Sequence, residues 1–215
     1  PDMSEYRRYY TNIVGKYGVQ VKALLNKAQS LRISMICPLH GLIWRKDIDN
    51  LIQKYAKWSA YEPEIKGVLI AYSSVYGNTQ SAAEIVANRL GEQGVKNIQM
   101  YDVSVTHPSY VVAEAFRYSH IVFATTTYNG GIFVTMENLL LDLKAHNLQN
   151  RTVALIENGT WAATAAGQMK NILSSMKGMN VIANPVTLKS SVKPEKRDEL
   201  IALADAICET LKKRY

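Results

Sequence analysis

Residues 68–71, 121–124 and 153–156 are unbroken apolar runs, reading Val-Leu-Ile-Ala, Ile-Val-Phe-Ala and Val-Ala-Leu-Ile. A strand of this kind has to be covered on both faces, as in a parallel sheet held between helices. A helix-patterned run follows each of them. The spacing predicts strands at 67–73, 97–101, 120–126, 152–157 and 180–188. It predicts helices at 80–93, 109–118, 135–144, 165–177 and 195–213, the last opening just after Pro194. Five strand–helix units in succession predict an α/β domain with a doubly wound, five-stranded parallel sheet.

The residues ahead of this domain are mainly helical in pattern. Apolar residues recur at three- and four-residue steps over 4–30, which predicts one helix weakened by Gly15 and Gly18. A short strand is expected at 32–36 and a second helix at 47–58. Pro63 bars helix continuation, so 61–65 is expected to be a linker between a leading segment, 1–60, and the domain at 66–215. The net charge of +7 is uneven: residues 1–60 carry ten Lys and Arg against four Asp and Glu. A solvated basic face explains this, and so does docking of an acidic protein, since complementary charge speeds association. The basic residues are scattered and no nucleic-acid motif accompanies them, so no nucleic-acid partner is expected. The two cysteines, Cys37 and Cys208, form no CxxC pair, which fits a reducing compartment. No apolar run approaches the roughly 20 residues that span a bilayer, and the opening residues lack a signal-peptide core. A soluble cytoplasmic protein with no membrane partner is expected.

In doubly wound sheets, ligands sit beyond the carboxyl ends of the strands where strand order reverses. Three loops fall there. The first is Ser74, Val75, Tyr76, Gly77, Asn78 and Thr79, between a strand and a helix. Free N–H groups and the helix dipole favour an anion at such a point. Gly77 permits φ > 0, and the hydroxyls of Ser74, Tyr76 and Thr79 add donors. The loop holds no Lys or Arg and is not a Walker A motif, which points to flavin mononucleotide (FMN) rather than a nucleoside triphosphate. A plain hydroxyl-rich helix cap would read similarly. The second loop runs from Thr125 to Gly131, with Thr127, Tyr128, Asn129, Gly130 and Gly131 as its candidate site residues. Tyr128 offers a ring face, and a flexible glycine peptide can turn its carbonyl toward a flavin N5. An ordinary glycine turn with an exposed Tyr explains the same residues. The third loop, Asn158, Gly159, Thr160, Trp161 and Ala162, brings polar groups for a ring edge and an indole to stack on it or wall it off. A Trp at such a place is otherwise core.

With these residues in view, the segment 66–213 resembles flavodoxin. Ser74-Val-Tyr-Gly-Asn-Thr79 matches its FMN phosphate loop. The Tyr at the third position, Thr127-Tyr-Asn-Gly130 and the Trp-containing Asn158-Gly-Thr-Trp161 are more similar to the flavodoxin domain of flavodiiron proteins (A-type flavoproteins). One departure is Thr126, where that family commonly has Pro. Cys37-Pro-Leu-His-Gly-Leu-Ile-Trp-Arg45 resembles the end of the family's metallo-β-lactamase-like domain, in which the matching His is an iron ligand. The resemblance therefore implies a sheet of order 2-1-3-4-5. It makes His40 a single possible iron ligand, without the other ligands of a di-iron pair, and residues 1–60 the tail of that catalytic domain.

The resemblance also implies an activity. This would be the FMN-binding electron-transfer domain of an oxygen or nitric oxide reductase. It would take electrons from a rubredoxin-like or other acidic donor and pass them toward a di-iron centre in the partner of a head-to-tail homodimer. FMN carries the redox chemistry, so no catalytic side chain is expected. Two other readings remain open from the residues: an independent flavodoxin-like NAD(P)H:quinone reductase, and a non-enzymatic interaction module.

Overall fold

The structure, a computed structural model, describes residues 3–213. Its architecture follows from how the apolar runs divide. Val68, Ile70, Val122, Ala124, Ala154 and Ile156 belong to one buried cluster. The residues between them, Leu69, Ala71, Ile121, Phe123, Val153 and Leu155, belong to another. Successive strand residues point to opposite faces, so each run feeds two cores at once.

The central strands are β1 (Ile65–Tyr72), β2 (Ile98–Asp102), β3 (Tyr118–Tyr128) and β5 (Arg151–Asn158), side by side in the order β2-β1-β3-β5 and parallel. Beyond β5 the expected strand at 180–188 is two pieces. β6 (Met179–Val181) pairs with the start of β5 and β7 (Val186–Leu188) with its end. The break falls at Ala183, which has φ 59°, and at Pro185, which has no N–H to donate. The order 2-1-3-4-5 is present, its fifth position shared by β6 and β7. Sequence periodicity missed β4 (Gly131–Ile132), which folds back antiparallel on the end of β3. Helices α4 (Asn78–Glu92) and α8 (Pro194–Lys212) cover one face, and α5 (Pro108–Arg117), α6 (Val134–Ala145) and α7 (Ala165–Ser174) the other.

The leading segment departs from the expected pattern in two places. Residues 4–30 are not one helix: α1 (Met3–Ile13) and α2 (Gly18–Ala28) flank a 3-10 turn at Gly15–Tyr17. The Tyr61 hydroxyl causes the break by donating to the Gly15 carbonyl at 2.9 Å and accepting from the Gly18 N–H at 3.3 Å. A side chain on Gly18 would stand 2.5 Å from the Ser59 carbonyl, so the close approach needs glycine. The strand expected at 32–36 is reduced to one bridge, Ile36 to Trp44. α3 (Ile48–Ser59) lies where the second helix was expected. Tyr10, Val21 and Trp58 form a small core of their own.

The stretch at 61–65 is packed. The Tyr61 carbonyl accepts from Arg151 Nη1 at 2.7 Å, and Glu64 is buried against Arg7, Lys54 at 2.9 Å and the Trp58 indole N–H at 2.7 Å. Among the described residues no helix is long and apolar enough to cross a membrane.

A titration is built into β3. His120 is 2% exposed, and its ring nitrogens meet Ser119 Oγ at 2.7 Å and Thr210 Oγ1 at 3.0 Å. Burial, helped by the Lys66 charge, lowers its pKa to about 4. The folded protein holds the ring neutral, whereas the unfolded chain takes up a proton near pH 6.5. Stability therefore falls as pH drops from about 6.5 to about 4, by about 3 kcal/mol at 1.36 kcal/mol per pKa unit. Urea unfolding across that range should show the slope in the native protein and a flatter line in His120→Gln.

Candidate functional site

The ends of β1, β3 and β5 open into one cleft of about 720 Å³. The three loops singled out from the sequence meet there, and all of their candidate site residues line it except Gly77 and Gly131. Three further residues line it: Thr126, which lies in the second loop but is marked in the sequence only as a departure from Pro, and Phe133 and Ser190, which sequence reasoning missed. The volume lies within the range of small-molecule sites.

The first loop is shaped by its own hydroxyl. Ser74 Oγ accepts from the Gly77 N–H at 3.0 Å, and Gly77 has φ 86°. α4 begins at once, with Ser81 N–H donating to the Gly77 carbonyl at 2.9 Å. Gly77 occupies the capping position and has no side chain to offer, and no side-chain cap is present there. The N–H groups of Asn78, Thr79 and Gln80 precede the first intrahelical bond and are left to an outside acceptor. The contrast is α5, whose start is capped by His107.

Hydroxyl pairs tie the loops together. Ser73 and Thr125, both buried, meet at 2.7 Å, and Thr79 and Thr126, which line the cleft, at 3.1 Å. The expected Pro position at Thr126 thus carries a hydroxyl that ties α4 to β3. Thr127 Oγ1 accepts from the N–H groups of Thr164 at 3.1 Å and Ala165 at 3.2 Å, fixing the start of α7. Glu157, 6% exposed, accepts from the Ala166 N–H at 2.7 Å and the Thr187 hydroxyl at 2.8 Å, so β5, β7 and α7 share one anchor.

The second loop is less free than its sequence suggests. Asn129 has φ 50° and Gly130 φ 72°, the two central residues of a tight hairpin between β3 and β4. Two side chains hold the Gly130 carbonyl: Thr164 Oγ1 donates at 3.0 Å and Gln168 Nε2 at 2.7 Å. The peptide expected to be flexible thus has its carbonyl engaged in this structure. Both bonds must break before that carbonyl can turn. The Tyr128 ring stands edge-on to Phe133, with centroids 5.6 Å apart.

The walls are aromatic and open. Tyr76 is 91% exposed and Trp161 99% exposed, so Trp161 is not core. Large apolar rings in water at a cleft mouth indicate a surface meant to be covered. No lining residue is charged. The Asn158 amide is already engaged, donating to the Ser190 carbonyl and accepting from the Ser190 N–H, both at 2.9 Å.

His40 stands apart from this cleft, exposed, with its ring against Tyr9 at 5.5 Å. Among the described residues no three His, Cys, Asp or Glu gather as a metal site.

The flavodoxin family model matches residues 70–211. The chain belongs to the flavodoxin family. Its likeness extends beyond that domain to flavodiiron proteins, as the sequence resemblance implied. A nitric oxide reductase from Moorella thermoacetica is 28% identical over 85% of this chain and 46% of its own length. Rubredoxin oxygen:oxidoreductase from Desulfovibrio gigas superposes with a TM-score of 0.87 and 25% identity, over 96% of this chain and 52% of that one. The flavodiiron protein of Giardia intestinalis shares the fold with a TM-score of 0.85 and 21% identity, over 98% of this chain and 54% of its own. The chain thus spans about half the length of the curated relatives it matches.

The donors fit the family's cofactor. FMN presents a phosphate dianion, a planar ring and polar ring edges. The cleft offers uncapped N–H groups at the start of α4, aromatic walls and loop amides.

Proposed function

We propose that this flavodoxin-family chain binds FMN and serves as the electron-transfer domain of a flavodiiron-type oxygen or nitric oxide reductase. The observation that carries the reading is the uncapped start of α4 opening into an uncharged cleft walled by exposed Tyr76 and Trp161. Ser74, Val75, Tyr76, Asn78 and Thr79 would hold the phosphate by backbone N–H groups and hydroxyls, with Gly77 shaping the loop. Thr127, Tyr128, Asn129, Gly130 and Gly131 would flank the ring, and Gly159, Thr160, Trp161 and Ala162 would close its other side. Bound FMN supplies reversible electron transfer. The chain's own residues bind, orient and shield it.

Residues 1–60 belong, in this reading, to a metallo-β-lactamase-like domain whose remainder lies outside this sequence. A groove of about 510 Å³ between α2, α3 and the 31–46 stretch supports it, lined largely by apolar side chains such as Leu25, Ile36, Trp44 and Ile52. Leu24, Leu31 and Leu39 stand exposed beside or near it at 65%, 65% and 98%. The matched relatives are about twice as long, which leaves room for the part that would cover these residues. A di-iron centre would belong to the complete protein, with His40 as one ligand. A homodimer, a cytoplasmic setting and a rubredoxin-like donor complete the proposal. The basic leading segment suits an acidic carrier.

An absorption spectrum of the purified chain, before and after adding FMN, tests the reading. Flavin bands that stay with the protein through gel filtration are expected. A chain that takes up no FMN after reconstitution would sink it.

A further inference from the structure

Ser190 reaches the cleft from a fourth loop, between β7 and α8, and three features set it apart. It is not glycine, yet it has φ 68°, a backbone region that side chains rarely adopt. Its backbone N–H and carbonyl are both taken by the buried Asn158 amide, at 2.9 Å each, which holds the residue in that conformation. Its hydroxyl lies 3.4 Å from Asn78 Nδ2, on the first residue of α4. The main chain is thus fixed by the end of β5 while the hydroxyl is presented at the anion-accepting end of α4.

We propose that Ser190 is a fourth-loop contact to the phosphate of FMN, and that Asn158 is the positioning residue that aims it. The inference rests on the FMN reading. The chemistry is simple: the loop at residues 74–79 contains no cation, so each added O–H donor matters to a dianion. Asn158 then acts through Ser190 rather than by reaching a ring edge, because its amide donor and acceptor are both engaged there. No covalent or redox step is involved.

The test compares FMN with riboflavin, which shares the ring and ribityl chain but lacks the phosphate. Dissociation constants come from quenching of flavin fluorescence. A hydrogen bond to a charged group contributes about 1.5–3 kcal/mol, or roughly 10- to 150-fold in affinity. Ser190→Ala is expected to weaken FMN by at least about tenfold and leave riboflavin within about twofold. Asn158→Ala should show the same selectivity, and adding Ser190→Ala to it should cost little more, because the two act as one unit. A merely structural role would weaken both flavins together. Equal losses for FMN and riboflavin, or no loss for either, overturn the proposal. Additive losses in the double variant overturn the positioning role of Asn158 alone. If the unaltered chain binds riboflavin and FMN equally, the phosphate contact is wrong while the flavin reading stands. If it binds neither, the FMN reading falls and takes this proposal with it.

Discussion

Replacing Gly77 with valine should abolish tight FMN binding while leaving the domain folded. The two effects separate because a Cβ at Gly77 meets no protein atom within 4 Å. No core neighbour has to move. The cost lies in φ 86°, a conformation that a β-branched residue adopts only as an outlier. In stability that amounts to about 1–2 kcal/mol, the scale of a single left-handed residue. In binding the loss is larger. The introduced valine would draw the loop toward negative φ, breaking the bond from the Gly77 N–H to Ser74 and re-aiming the N–H groups that open α4. Charge-assisted bonds contribute about 1.5–3 kcal/mol each, so losing two of them weakens FMN by roughly 10²-fold or more. Fluorescence titration with FMN and a thermal melt, run on the same sample, read the two effects. Affinity within about threefold of the unaltered chain, less than a single such bond contributes, would remove the phosphate from this loop. Gly77→Ala should fall between the two, since alanine tolerates φ > 0 less badly than valine.

Much of this site is legible in the sequence, for reasons that particular residues make plain. The apolar runs at 68–71, 121–124 and 153–156 are long because both faces are covered, so they signal strand, parallel pairing and layer order together. The loops after them stood out because they interrupt those runs with hydroxyls, glycines and an unshielded Trp. What escaped notice was set by contacts distant in sequence. The break in the leading helix is imposed by Tyr61, 46 residues from the Gly15 carbonyl it binds. The hold on the Gly130 carbonyl comes from Thr164 and Gln168, which look like ordinary helix-start residues in one dimension. Ser190 sits in a plain Lys-Ser-Ser, and only the Asn158 bonds and its positive φ mark it. The split between β6 and β7 falls at Ala183, with φ 59°, a residue type with no turn signal of its own, and at Pro185, whose signal the sequence does carry.

The seam between the leading segment and the sheet domain supplies the second large effect. Glu64 is the hub there. Its side chain is 2% exposed and contacts Arg7, itself buried, together with Lys54 and the Trp58 indole. Burial alone would raise the pKa of Glu64. The hydrogen bonds and charge of Arg7, then the bonds from Lys54 and Trp58, outweigh it and bring the value down to about 2. Glu64→Ala leaves the Arg7 guanidinium with Glu114 at 3.3 Å as its remaining carboxylate partner and strands the indole N–H. Removing one member of a buried pair costs about 3–5 kcal/mol, because the other charge stays desolvated. The loss should concentrate at the seam: α1 and α3 should become susceptible to protease while the sheet domain keeps its FMN affinity. The pH dependence differs from that of His120, because here a carboxylate has its folded pKa lowered. Its contribution is complete above the unfolded value near 4.3 and disappears as pH falls from there to about 2. The unaltered chain should thus lose stability in two stages on acidification, the upper one tied to His120 and the lower one to Glu64. Glu64→Ala should remove only the lower stage. Urea unfolding at neutral pH that differs by less than about 1 kcal/mol between the variant and the unaltered chain, well under the cost of a broken buried pair, would show that Arg7 finds adequate partners elsewhere. The seam would then be held by the apolar contacts around Tyr10 and Trp58.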